Sequence, residues 1–466
     1  MSDSPRTLSV DVLVIGWGKG GKTFAGAMAG AGESVAIIEQ TPAMYGGTCI
    51  NIGCVPTKTL IHDASERRED DDPQAFFDRA VARRDALIGK LNDVNLHMLA
   101  DRDTVTVIDG RARFVGPREV EVTPTAGGAG LAESLRVTAD VVVINTGAEP
   151  VIPDVPGIDG PRILDSTSLQ HVKPFPRRLA VIGAGPIGLE FASMFRGFGA
   201  GVTVVARGER VLPDEDDDVA ASVAEVLEGD GIRLLLGTTV TAFEDGADGV
   251  RLVGAAGPDG GDLEVDAVLV ATGRRPATRD LGLEAAGVDV DERGNVVVDD
   301  QLRTSADGVF AMGDVHGHGQ QTYLSLDDNR IVLSALTGDG SRRLSDRVAV
   351  PSTVFLTPPL SSVGMTEKAA REAGKSVLTV SAPVAGVKAM PRPKAVGDPR
   401  GLIKIVVDAE SDQVLGARLF HVDSQEVINL VALAMRAGVT ATQLRNGIWT
   451  HPSSSEALNE VLGQLA

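Results

Sequence analysis

Val10-Asp11-Val12-Leu13-Val14-Ile15-Gly16-Trp17-Gly18-Lys19-Gly20-Gly21 decides how this chain folds. The first six residues form an apolar, β-branched run of the kind that a parallel sheet buries on both faces. Glycines follow at Gly16, Gly18 and Gly21, and an Ala/Gly-rich helical stretch continues to about Ala31. SVAIIE at 34–39 reads as a second strand ending on Glu39. Strand, G-x-G-x-x-G, helix, strand, acid is the grammar of a dinucleotide-binding unit. The glycines permit a tight turn and close approach to a pyrophosphate. The helix N-terminus offers N–H groups to phosphate, and Glu39 is placed to accept bonds from a ribose.

The same grammar returns at 179–205, with Gly183, Gly185 and Gly188 between the strand LAVIG and a helix LEFASMFRGFG. One such motif is weak evidence; two with correct flanks predict two dinucleotides and two Rossmann-like domains. The second unit lacks the terminal acid. Ala206 and Arg207 stand there instead, with Arg210 nearby. Guanidinium groups suit a 2′-phosphate that an acid would repel, so NADPH is expected over NADH. VVVINTGAEP (141–150) and AVLVATGRRP (267–276) each break a buried strand at Thr-Gly, placing Thr146, Gly147 and Gly273 beside a cofactor. VFAMGDV (309–315) brings Asp314 out at a strand end. The segment LAESLRV (131–137), with its approach AGGAG (126–130), reads as a hairpin.

The formal charge of −20 disfavours nucleic acid and anionic membrane as partners. The acidic runs Glu69–Asp72 and Asp214–Asp218 are expected to be solvated surface. No stretch reads as a bilayer span or a secretory leader, so a cytoplasmic protein is expected. The 466 residues hold only two cysteines, Cys49 and Cys54. Two close thiols without a wider Cys/His set argue for redox chemistry over a structural disulfide or zinc site. They stand in Gly46-Gly47-Thr48-Cys49-Ile50-Asn51-Ile52-Gly53-Cys54-Val55-Pro56-Thr57-Lys58. The glycines allow approach to a flat cofactor, and a following helix start lowers thiol pKa values. Four intervening residues permit a disulfide where the first helical turn is distorted.

This segment resembles the active-site helix of the class I pyridine nucleotide-disulfide oxidoreductases. The resemblance runs through the whole chain in order: first glycine fingerprint, cysteine pair, second fingerprint, ATGRRP, GDV, and His451-Pro452 with Glu456. It implies an α/β fold with an FAD domain (1–150), an NAD(P)H domain (151–276), a central segment completing the FAD site (277–347) and a C-terminal α+β dimerisation domain (348–466). It implies that Gly16, Gly18, Gly21, Glu39 and Asp314 bind FAD, and Gly47, Thr48, Lys58, Thr146, Gly147 and Gly273 are expected among the cofactor-binding residues. Gly183, Gly185, Gly188 and Arg207 would bind the nicotinamide coenzyme. Cys54 would lie against the flavin as the charge-transfer thiolate, Cys49 would meet the acceptor, and Lys58 would sit near flavin N5, paired with Glu190. His451 and Glu456 would form an acid–base pair reaching the other subunit of a homodimer.

Within the family, 43–64, TYLSLDDNRIV (322–332) and VFLTPPLSSVGMTE (354–367) resemble a branch linked to reactive-chlorine resistance. That resemblance implies reduction of a soft metal ion such as Cu(II), or of another oxidative-stress substrate. No resident metal is expected; an incoming ion would meet Cys49 and Cys54 only transiently. A dihydrolipoyl dehydrogenase or a reductase of small disulfides is the alternative. His62 is expected to cap or pack on its helix, and His316 and His318 to lie in a loop near the flavin.

Overall fold

The computed structural model describes residues 6–125, 131–257 and 260–465. The chain divides into two compact units. The first comprises Met1–Leu60, Arg79–Val151 and Gly273–Asp346, and the second Ile61–Asp78, Ile152–Thr272 and Arg347–Ala466.

In the first unit, β1 (Arg6–Ile15) pairs in parallel with β2 (Val35–Glu39) on one side and with the strand Leu135–Ile144 on the other. Val105–Asp109 and Val309–Ala311 extend this parallel core at its two ends. Alternate side chains of β1 enter two separate cores: Leu13 and Ile15 on one face, Val12 and Val14 on the other. That double burial is why the run carries so few polar residues. Helix α1 (Lys19–Gly30) covers the second face with Phe24, Ala25 and Met28, together with Ile331 and Val332 of the Thr322–Thr337 helix. Glu119–Thr123 and Leu135–Ile144 pair antiparallel, as expected of a hairpin; its approach at 126–130 lies outside the described residues. The two Thr-Gly breaks lead into one small ribbon, Ala148–Pro150 against Arg274–Pro276.

The second unit repeats the pattern. A parallel sheet contains Arg178–Ile182 and Gly201–Val205, with α5 (Pro186–Gly197) between them in sequence. A five-stranded antiparallel sheet is formed by the C-terminal residues. The fold class is therefore the expected α/β arrangement with two Rossmann-like portions and a C-terminal α+β portion. Among the described residues, no helix is long and apolar enough to cross a membrane.

The acidic run Asp214–Asp218 differs from expectation. Glu69, Asp70 and Asp72 are exposed as foreseen, but Asp216 is buried and accepts the amides of Glu367 and Lys368. Lys404 Nζ lies 3.1 Å from Asp216, 2.8 Å from Asp218 and 3.0 Å from Glu367, and Arg418 pairs with Glu215. Burial alone would raise the Asp216 carboxyl; the two amides and Lys404 bring it below its ordinary range. The run is neutralised by cations some 190 residues later, which local sequence does not reveal.

Candidate active site

The fingerprint glycines are required by Asn145, at the end of the Leu135–Ile144 strand. Asn145 Oδ1 accepts the Gly21 amide at 3.0 Å, and its Nδ2 donates to the Met312 carbonyl at 2.7 Å. A Cβ at Gly18 or Gly21 would come within 2.4 or 2.6 Å of that Oδ1, and one at Gly16 within 2.5 Å of the Asn145 carbonyl. Asn145 therefore ties the turn to the Gly313–His316 turn that carries Asp314. Sequence reading passed over it, although it immediately precedes Thr146-Gly147.

The residues here fit FAD. Helix α1 follows Gly18 with no cap from that residue; the Gly20 and Gly21 amides are taken by Ser325 Oγ and Asn145 Oδ1, and the helix N-terminus directs its dipole to where a phosphate would lie. Glu39 is buried and accepts the amides of Trp17 (3.1 Å) and Gln40 (2.8 Å). Burial pushes its carboxyl up to about 7, an unfavourable setting that ribose hydroxyls would relieve. Thr146 Oγ1 and Trp17 Nε1 are buried without hydrogen-bond partners, as polar atoms awaiting a ligand would be. Asp314 is held above its ordinary value by burial, with Arg274 and His316 opposing. Gly147 (φ +73°) and Gly273 (φ +127°) have open space where a Cβ would stand.

The cysteines occupy two short helices rather than one. Helix α2 (Gly47–Asn51) holds Thr48 and Cys49, and α3 (Cys54–Glu66) begins at Cys54. The break comes where the Thr48 carbonyl accepts both the Ile52 and Gly53 amides. This is the distorted first turn that a disulfide between the positions needs. No disulfide joins the two sulfurs; Cys54 is exposed and Cys49 half-buried. Cys54 Sγ lies 3.7 Å from Thr322 Oγ1, at the start of the Thr322–Thr337 helix. A hydrogen bond to Cys54 and burial push the Cys49 thiol up, while Thr322 and Lys22 act to lower it. The expected lowering by a helix start is thus outweighed at Cys49 by its neighbouring sulfur. Lys58 lies four residues beyond Cys54 on α3, one turn along the same face.

Helix α4 (Pro73–Ala100) was not foreseen as part of the site. Its Asn92 donates to the carbonyls of Pro42 and Tyr45 and to Asn51 Oδ1, and Asn95 bonds Lys22. It thereby braces the segment that presents Cys49. Gly47, at φ +76°, would place a Cβ 2.9 Å from both Gly18 Cα and the Trp17 carbonyl. The cysteine segment is packed directly on the fingerprint turn.

In the second unit, Gly185 precedes α5 without a side-chain cap and has open space beside it. Gly183 and Gly188 are demanded by close backbone, with a Cβ at Gly188 meeting the Gly183 carbonyl at 2.2 Å. Arg207 is exposed and makes no ion pair among the described residues. Arg210 is instead committed to Asp217 and the Pro213 carbonyl, which removes it from the expected phosphate pair. Glu190 is buried and accepts the Phe355 amide at 2.8 Å. His451 Nδ1 lies 2.9 Å from Glu456 Oε1, which also leaves Glu456 below its ordinary value. The His451 side chain is 71% exposed.

The remaining histidines do not form a metal centre. His316 is buried with its Nε2 3.0 Å from Asp328, His318 is exposed beside it, and His62 is exposed on α3. Among the described residues no group of three or more His, Cys, Asp or Glu is arranged to hold a metal ion.

Residues 10–328 match the family described as pyridine nucleotide-disulphide oxidoreductase, and residues 350–462 match its dimerisation domain. The probable pyridine nucleotide-disulfide oxidoreductase RclA of Escherichia coli is 45% identical over 96% of this chain and 98% of its own length. Dihydrolipoyl dehydrogenase of Thermus scotoductus is 35% identical, covering 97% of this chain and 96% of that protein. Among solved structures, the Cu(II) complex of the HOCl-induced flavoprotein disulfide reductase RclA from E. coli matches with a TM-score of 0.91 at 43% identity. That match covers 98% of this chain and 100% of the other.

Proposed function

The chain belongs to the class I pyridine nucleotide-disulfide oxidoreductases, FAD-dependent enzymes that use pyridine nucleotides, and from that premise we propose that Cys49 and Cys54 form a redox pair passing electrons from NADPH to Cu(II). The observation that carries this reading is the pair itself: the chain's two cysteines at a helix break, one of them exposed, on a segment packed against a fingerprint turn that fits FAD.

FAD, when bound, supplies a two-electron acceptor between nicotinamide and disulfide. Gly16, Gly18 and Gly21 with the start of α1 hold its pyrophosphate, Glu39 its ribose and Asp314 its ribityl chain. Gly47, Thr48, Thr146, Gly147 and Gly273 would line its path, and Lys58 would supply a cation near the flavin. Gly183, Gly185, Gly188 and the start of α5 bind the coenzyme pyrophosphate. Arg207, exposed and uncommitted, takes the 2′-phosphate; this favours NADPH. Cys54, at the first position of α3, is the sulfur on the flavin side, and Cys49 is the sulfur that faces the acceptor.

His451 carries the proton. Glu456 holds Nδ1, so Nε2 is left to exchange a proton with Cys49. Its high exposure suits a residue covered by a second copy of the chain, and the dimerisation domain supports such a homodimer. With Cu(II), two ions each accept one electron, the one proton of the thiol–thiolate pair leaves, and the pair closes to a disulfide. Soft thiolates suit that acceptor, and the E. coli relative is known as a Cu(II) complex. A chain whose two cysteines are read as a catalytic pair suits a reducing compartment, the cytoplasm. The test is anaerobic reduction of Cu(II), oxidised glutathione and lipoamide by NADPH, with a Cu(I) chelator as reporter. Faster turnover of either disulfide than of Cu(II) would assign the enzyme to small-disulfide chemistry instead.

A further inference from the structure

Lys22 directly follows the third fingerprint glycine, and its side chain turns inward. The residue is only 4% exposed. Its Nζ donates to the Gly46 carbonyl at 3.3 Å and to Asn95 Oδ1 on α4. No carboxylate pairs with it among the described residues. A buried ammonium without a counter-ion is costly, and two neutral acceptors only partly offset that cost. A lysine that only packed here would be better replaced by methionine.

What distinguishes the location is Gly46, which precedes α2 and lies three residues before Cys49. The charges of Lys22 and Cys49 act on one another, each favouring the ionised form of its partner. We propose that Lys22 is a positioning residue of the redox pair: a buried cation, tethered to Gly46 and Asn95, that favours negative charge on Cys49 once the disulfide opens. The proposal rests on the reading of Cys49 and Cys54 as that pair. Opening breaks the S–S bond, takes up two electrons from NADPH by way of the flavin and one proton, and leaves one thiol and one thiolate. Cys54 and burial disfavour charge on Cys49, and Lys22 opposes them. Burial, with Lys19 adding to it, pushes Lys22 down to about 8, which leaves it charged at neutral pH.

The test uses two FAD-loaded variants. Lys22→Met removes the charge, whereas Asn95→Asp keeps the lysine and neutralises it with a new carboxylate. After anaerobic reduction by NADPH, Cys49 should be alkylated by iodoacetamide about tenfold more slowly at pH 7 in either variant, one pKa unit being tenfold in thiolate. At a pH high enough for Cys49 to be ionised, the dithiol potential should fall by the same tenfold, about 30 mV for a two-electron couple, and Lys22→Arg should restore both. Should Lys22→Met fail to hold FAD, Asn95→Asp decides alone. Wild-type labelling with both values unchanged in the variants would overturn this proposal only. Wild-type enzyme that gains no alkylatable thiol on reduction would overturn the redox-pair reading, and this proposal with it.

Discussion

Gly47→Ala probes the junction on which the account depends. At φ +76° an alanine costs about 1–2 kcal/mol relative to glycine. Its methyl would also meet Gly18 Cα and the Trp17 carbonyl at 2.9 Å, both backbone atoms of the fingerprint turn. Overpacking of that kind adds about 1–3 kcal/mol. FAD is read as bound by both the turn and the segment, so any shift that relieves the strain disturbs its site. The strain is therefore expected to appear in cofactor affinity. At about 2 kcal/mol, the low end, FAD should bind roughly 30-fold more weakly. Titration of apoprotein with FAD, followed by quenching of flavin fluorescence, measures this directly. Gly89→Ala, on α4 with nothing within 4 Å of its added methyl, is the control and should stabilise slightly. A Gly47→Ala dissociation constant within threefold of wild type would refute the reasoning.

Lys404→Met leaves Asp216, Asp218 and Glu367 without their shared cation, and should destabilise the protein by about 3–5 kcal/mol; thermal melting checks it, and an unchanged midpoint contradicts it. Glu39, raised by burial to about 7 from 4.5, stabilises apoprotein fully below its unfolded value and loses that contribution as pH rises through 7. Apoprotein should therefore lose roughly 3 kcal/mol between pH 4.5 and 7 from this group, and Glu39→Gln should flatten that slope in denaturant titrations. His451→Ala should slow disulfide reduction about 100-fold or more while leaving flavin reduction by NADPH intact. Stopped-flow absorbance separates the two steps, and equal loss in both would argue against a proton carrier at the cysteines.

Much of the fold was legible because its signals are local. The runs around Val12 and Val181 are apolar on both faces since each lies inside a parallel sheet, and Gly16, Gly18, Gly21, Gly183 and Gly188 leave no room for a Cβ. Asn145 was missed because a single asparagine after a strand carries no periodic signal, although three glycines pack against it. Lys22 was hidden because a lysine on an Ala/Gly-rich helix reads as surface; only tertiary structure shows it turning toward Gly46 and α4. The Asp214–Asp218 run reads as solvated until Lys404 and Arg418 are folded against it. Arg210 illustrates the reverse error, since a nearby aspartate claims the cation that sequence spacing offered to a phosphate.

Anaerobic titration of the purified flavoprotein with NADPH, counting new thiols by alkylation and mass spectrometry, tests the central claim most directly. The account predicts two reducing equivalents beyond those taken by flavin alone. Alkylation should appear at Cys49 and Cys54, a long-wavelength absorbance band should develop, and one acceptor should reverse all three; Cys49→Ser should retain FAD, leave Cys54 alkylatable before any reduction, and take up no equivalents beyond those of the flavin. Flavin that bleaches with no added thiols and no such band would show that the cysteines stand outside the electron path.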